Sequence, residues 1–141
     1  MSIVLDANVL VALVTPDEHQ AAAHAQFEKW LDAGESIHAP AVLPYEVANV
    51  LARLVFEDVM ELDDVTETWR DLDALDLRLH HFDLLRDGPE VAAITKTLNR
   101  RHATDSTYVC LARKLETTLW TFDGPLARNA KDKGLPVELI T

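Results

Sequence analysis

The sequence predicts an α/β fold: a three-layer α/β/α arrangement with a mostly parallel central sheet of four to five strands, built as one domain over residues 1–141. Three observations lead there. Short apolar runs of strand length alternate with longer segments of helical periodicity, the pattern of parallel strands joined by right-handed helical crossovers. Two of those runs, Ile3-Val4-Leu5 and Leu119-Trp120-Thr121-Phe122, end on carboxylates, Asp6 and Asp123, in the place where open α/β sheets hold ligands. Finally, 141 residues, 48% of them hydrophobic, suffice for one sizeable core and not for two typical domains.

Taken in order, Ile3 to Leu5 form a continuous apolar run suited to a strand buried on both faces. Asp6 has two readings, as the cap of a helix from Ala7 to Val14 or as a site residue. Ala22, Ala23, Phe27, Trp30 and Leu31 give helical spacing from Glu18 to about Ala33, and Gly34 is placed to stop that helix. Its His19 and His24 are five positions apart, not the three or four that face a common metal, so both are assigned to the surface. Ser36 to Ala39 is a short strand closed by Pro40. Pro44 suits the first turn of a helix running to about Phe56 over Val47, Leu51 and Leu54.

Leu62 to about Leu75 reads as a helix capped by Asp63 or Asp64, with Val65, Trp69 and Leu72 inward and its acids on a solvated face. Leu77, Leu79 and His81 alternate as a strand does, and neither His80 nor His81 is given a function. Gly88-Pro89 opens a helix from Glu90 to about Asn99. Thr104 caps another that reaches Glu116. After the strand ending at Phe122, Gly124-Pro125 starts a helix to about Lys133, and Pro136 to Ile140 supplies a terminal edge strand.

Bulk properties narrow the class. No apolar run approaches the ~20 residues of a membrane span, and the first residues lack the charged start and apolar stretch of a signal peptide, so a cytoplasmic protein is expected. The one cysteine, Cys110, excludes an internal disulfide or a multi-cysteine zinc site and is expected in the core. The net charge is −11, the reverse of the usual polyanion binder. Its distribution is uneven: acids dominate from Glu57 to Asp87, whereas Lys96, Arg100, Arg101, Arg113, Lys114, Arg128, Lys131 and Lys133 make the last third locally more basic.

Four acids stand out. Glu46 lies at the edge of its helix's apolar stripe, on one face with Asn49, Val50 and Arg53; it is either a site carboxylate or an acid stabilising the positive end of the helix dipole. Asp105 shares a face with Tyr108, Val109 and Ala112, so it either satisfies backbone N–H groups at the helix start or points into a cleft that holds a cation. Asp6 and Asp123 close two core strands, and for both a capping and a functional role are compatible.

These stretches, Leu5-Asp6-Ala7-Asn8, Pro44 to Leu51, Thr104-Asp105 with Tyr108 to Ala112, and Thr121-Phe122-Asp123, resemble the motifs of PIN-domain ribonucleases. In length and motif spacing the chain resembles the VapC-type toxins of toxin-antitoxin pairs. It departs from the pattern in Ser106 and Thr107, where small apolar residues are common, and in its acid excess. The resemblance implies a metal-dependent endoribonuclease in which Asp6, Glu46 and Asp105 are the principal ligands of Mg2+ or Mn2+ and Asp123 is an auxiliary one. Asn8, Asn49 and Thr121 are then candidates to hold those ligands from behind. Arg100 and Arg101 are either phosphate contacts or an ordinary solvated helix end. An RNA substrate, a VapB-type antitoxin and a homodimer follow from the same resemblance.

Clustered carboxylates agree with it physically, since two charges 4 Å apart repel by about 4 kcal/mol at an effective dielectric near 20 and so require protons or a cation. Two other classes fit parts of the pattern. An aspartate-based phosphotransfer domain would also place acids at strand ends, although Asn8 stands where a phosphatase needs a second Asp and no adjacent acid pair follows the first strand. A non-catalytic interaction module would keep the fold without binding a cation.

Overall fold

Strand β1 (Ser2–Leu5) lies at the centre, and its Ile3, Val4 and Leu5 are buried on both faces of the sheet. In the computed structural model, which describes residues 1–141, β1 pairs in parallel with β2 (Ser36–Pro40) on one side and β4 (Leu119–Thr121) on the other. Beyond these, β3 (Arg78–His80) joins β2 and β5 (Val137–Leu139) joins β4, so the order is β3-β2-β1-β4-β5 with every pair parallel. The expected α/β class is observed, with a sheet that is wholly parallel.

Seven helices cover the sheet: α1 (Ala7–Val14), α2 (Gln20–Asp32), α3 (Leu43–Phe56), α4 (Leu62–Asp73), α5 (Leu84–Thr97), α6 (Thr104–Lys114) and α7 (Gly124–Asp132). The chain moves outward from β1 through β2 to β3, then returns to β4 and β5. With right-handed crossovers this reversal puts α1 to α4 on one face and α5 to α7 on the other. Accordingly α1 packs on α2, α3 and α4, while α6 packs on α5 and across β1, β2 and β4. The order reverses between β1 and β4, and the crevice outside such a switch point is where open α/β sheets bind ligands. Asp6 and Asp123 follow those two strands directly.

Three local expectations are corrected. Helix α5 begins at Leu84, capped by the Asp83 carboxylate, which accepts the Leu85 N–H at 3.2 Å; Gly88 and Pro89 lie inside it instead of opening it. Gly88 has no Cβ to clash with the proline ring, and the carbonyl to which Pro89 can offer no N–H belongs to Leu85, a residue that is 98% exposed. Helix α4 is preceded by Glu61, and Asp64 sits in its first turn accepting the Glu61 N–H at 3.3 Å, so neither Asp63 nor Asp64 is the cap residue itself. Helix α6 starts on Thr104 with Ala103 before it, so Thr104 is the first helical residue and not the cap.

Two polar groups inside the fold also find partners. Asp87, from the acidic run, is buried between Lys114 Nζ at 2.9 Å and the Arg86 guanidinium at 3.4 Å, tying α5 to α6. His38 Nδ1 lies 2.7 Å from His80 Nε2 and His38 Nε2 lies 2.8 Å from Ser36 Oγ, which threads hydrogen bonds between β2 and β3. Burial, then His80 and Arg78, hold the His38 imidazole below its ordinary pKa.. Cys110 is fully buried, and burial pushes its thiol up to about 11, as an inert core residue requires.

Candidate functional site

Asp6 is where the strand's burial and the helix's start meet. Its residue is 7% exposed, its Oδ1 accepts the Ala7 N–H at 2.7 Å and its Oδ2 accepts the Thr121 hydroxyl at 2.8 Å. Helix α1 is thus capped by the same carboxylate that faces the crevice, and the two readings of Asp6 describe one geometry. Burial pushes this carboxyl up to about 7; the Thr121 hydrogen bond opposes the shift, and the charges of Asp105 and Glu46 add to it.

Glu46 enters from the first turn of α3. Its Oε1 accepts the Tyr108 hydroxyl at 2.5 Å, a bond spanning 62 residues, while partial burial and then Asp105 raise its carboxyl above the usual range. Asp105 enters from the first turn of α6 and is also raised, by burial first and by Asp123 in addition, against the pull of Arg100. Asp123 caps α7 through Oδ1, which accepts the Leu126 N–H at 2.9 Å, and turns Oδ2 toward Arg100 at 3.7 Å. Arg100 reaches Asp105 at 3.5 Å as well, so one guanidinium bridges two of the four acids. The four carboxylates therefore come from four separate elements and act on one another in a chain.

Behind them stands Thr121, fully buried. Its Oγ1 donates to Asp6 and accepts from Asn8 Nδ2 at 3.1 Å and the Asp123 N–H at 3.0 Å. Asn8 Oδ1 in turn accepts the Phe122 N–H at 3.2 Å. Removing the hydroxyl while keeping the shape strands three polar groups, which costs about 2 kcal/mol. Thr121→Val is therefore expected to melt roughly 6 °C lower; a thermal scan that shows no change would remove Thr121 from this supporting role.

The sequence missed one member of this arrangement. Spacing gives Tyr108 only a helix face shared with Asp105, Val109 and Ala112, but its hydroxyl is the group that orients Glu46; the ring is fully buried, and burial with the Glu46 carboxylate keeps the phenol neutral, far above its ordinary pKa. Asn49 is exposed on the cleft wall next to Glu46 and makes no hydrogen bond through its side chain, so the structure gives it no supporting contact to a ligand. Of the two arginines, Arg100 is turned into the acid cluster and Arg101 is exposed outside it.

The donor set is all hard oxygen with no thiolate or imidazole among the four, and three of the acids are raised by burial first and by a neighbouring acid in addition. Such a set fits Mg2+ or Mn2+. As they stand, no three side chains close into a ready-made cage. Mg2+ rarely requires one, because it is commonly held by one or two carboxylates and keeps several waters.

The fold and this site together define a doubly wound parallel α/β protein with an acidic centre at its switch point. More specifically, the chain belongs to the PIN domain family, whose model matches residues 3–132. Among solved structures it is similar to PAE2754 from Pyrobaculum aerophilum, at 18% identity and a TM-score of 0.68 over 92% of this chain and 79% of that one. It is similar also to a chain in the structure of VapBC2 from Rickettsia felis bound to a DNA fragment from their promoter, at 15% identity and a TM-score of 0.65 over the whole of both chains. No curated protein matches the chain. No helix is long and apolar enough to cross a membrane.

Proposed function

We propose that this chain is a Mg2+- or Mn2+-dependent endoribonuclease, the VapC-type toxin of a toxin-antitoxin pair, with Asp6, Glu46 and Asp105 as principal metal ligands and Asp123 as an auxiliary one. The observation that carries the reading is the gathering of four acids from four elements at the switch point, where burial raises Asp6, Glu46 and Asp105 and the charge of Asp105 adds to the first two. Buried acids that repel one another are costly, and a divalent cation removes the cost. Membership of the PIN domain family and the likeness to a chain of the VapBC2 complex support the nuclease and the toxin assignment respectively.

When bound, the cation supplies a water of lowered pKa and neutralises charge on the scissile phosphate. The chain's own residues prepare that event. Ala7 and Thr121 fix both oxygens of Asp6, Tyr108 fixes Glu46, and Arg100 holds Asp105 and Asp123 toward each other. No histidine base or covalent nucleophile is required. Asp6 as a phosphoryl acceptor is disfavoured because Asn8 stands where a phosphatase needs a second Asp and no adjacent acid pair follows the first strand. A VapB-type antitoxin covering the cleft, a homodimer and a cytoplasmic location complete the proposal.

The test is incubation with total RNA, transfer RNA and ribosomal RNA in Mg2+, in Mn2+ and in chelator. Cleavage that requires the cation is expected, together with a thermal shift on adding Mn2+; at a hundred times its dissociation constant a ligand stabilises the fold by about 2.7 kcal/mol. Protein that neither shifts with Mn2+ nor cuts any RNA would be a non-catalytic module on this fold. Tyr108→Phe offers a finer check: it removes only the bond that orients Glu46. Roughly tenfold more Mn2+ is then expected for the half-maximal thermal shift, in line with other groups that position metal ligands.

A further inference from the structure

We propose that His19, backed by Phe122, is a stacking ledge for an unpaired nucleobase beside the scissile phosphate; the proposal rests on the ribonuclease reading above and names how its substrate is held. The two rings lie parallel, with centroids 4.4 Å apart and planes within 10°, although 103 residues separate them. Both are anchored. The His19 N–H donates to Asp17 Oδ1 at 2.8 Å, and the Phe122 N–H donates to Asn8 Oδ1 at 3.2 Å, which joins the ledge to the Thr121 and Asp6 network.

Position and exposure favour a ligand over simple packing. His19 lines a cleft of about 390 Å3 together with Asn8, Glu46, Asn49 and Arg53, so the ledge opens beside the acid centre. Its side chain keeps 45% of its surface exposed, and its Nε2 edge is met by the exposed Glu18 carboxylate at 3.5 Å. Phe122 covers one face of the imidazole by stacking. A planar ring docking on the other face would continue the stack, and the side-chain amides of Asn8 and Asn49 on the wall can meet the edge of a base.

Charge gives the stronger argument. A net charge of −11 works against holding RNA chiefly through its phosphates, which is how basic proteins gain affinity. Stacking on an uncharged base needs no positive surface and tolerates any sequence. Two consequences follow: binding depends only weakly on salt, and purines, with the larger π-face, are preferred at the ledge.

The experiment uses short single-stranded RNAs carrying a fluorescent aminopurine, with the full chain in Mg2+, comparing the unmodified protein with His19→Ala and His19→Tyr. His19 is exposed and its side chain caps nothing, so neither change threatens the fold. Expected for the unmodified protein are quenching of the aminopurine on binding and a shallow salt dependence. Expected for His19→Ala are roughly tenfold weaker binding at every salt concentration, a rise in KM larger than any fall in kcat, and loss of the purine preference. Recovery by His19→Tyr is expected as well. RNA cleavage with unchanged KM and base preference in His19→Ala would overturn the ledge and leave the ribonuclease reading intact. Absence of cleavage by the unmodified protein would instead overturn that reading. If His19→Ala bound RNA normally but lost inhibition by the antitoxin, the ledge would belong to a protein contact and the proposal would fail.

Discussion

Asp105→Asn is expected to lower RNA cleavage by roughly two to three orders of magnitude while leaving the metal-free fold intact. The substitution keeps the shape and removes one charge from a cluster in which charge is the working quantity. Losing a single well-placed electrostatic group at a reacting centre costs on the order of 10²–10³ in rate. Structural damage should be slight, because the Asp105 side chain is 34% exposed and its bond to Arg100 is long, at 3.5 Å. Arg100 keeps Asp123 as a partner at 3.7 Å. The decisive measurement pairs cleavage with Mn2+ titration by calorimetry. Equal cleavage by variant and unmodified protein would mean a contaminating nuclease and would sink the mechanism. Lost cleavage with unaltered Mn2+ affinity would remove Asp105 from the ligand set.

Why the sequence showed Asp6 and not Tyr108 is a matter of locality. Asp6 ends a continuous apolar run, and a strand buried on both faces has only one sensible place for the carboxylate that follows it. The α/β class was legible for the same reason, since each strand and helix announces itself within a dozen residues. Tyr108 is equally periodic, but its hydroxyl meets Glu46 across 62 residues, and periodicity reports a face without saying what lies opposite. The same limit hid the His19 and Phe122 stack. Arg100 and Arg101 are adjacent and chemically identical in the sequence; the turn between α5 and α6 sends one into the cluster and leaves the other outside. The start of α5 was misplaced for a different reason: Gly-Pro is a fair opening signal for a helix, and here the Asp83 cap six residues upstream of Pro89 outweighs it.

At both strand ends one carboxylate caps a helix and faces the acid cluster, and this has an energetic consequence at Asp6. Its carboxyl is raised from 3.8 to about 7 in the folded protein, so between those values the folded state holds a proton that the unfolded state has released. Stability then falls as pH rises through this window, the opposite of a salt-bridged acid. At 1.36 kcal/mol per unit the full span amounts to as much as about 4 kcal/mol lost by pH 7 in metal-free protein. Asp6→Asn removes the titration. Its amide still accepts from Ala7, but its new N–H faces a Thr121 oxygen that already accepts two donors, which returns about 1 kcal/mol of the gain.

The variant is therefore expected to be less stable than the unmodified protein near pH 4, by roughly 0.5 kcal/mol, and to exceed it by roughly 3 kcal/mol at pH 7, a difference of about 10 °C in melting temperature. Saturating Mn2+ should narrow that gap, because it stabilises the protein that retains the carboxylate more than the variant that has lost one ligand. Denaturant unfolding at a series of pH values, with chelator and then with Mn2+, reads all of this. If the gap between the two proteins stayed constant with pH, Asp6 would not be the strained acid of the cluster. If Mn2+ stabilised both proteins equally, the cation would be held elsewhere.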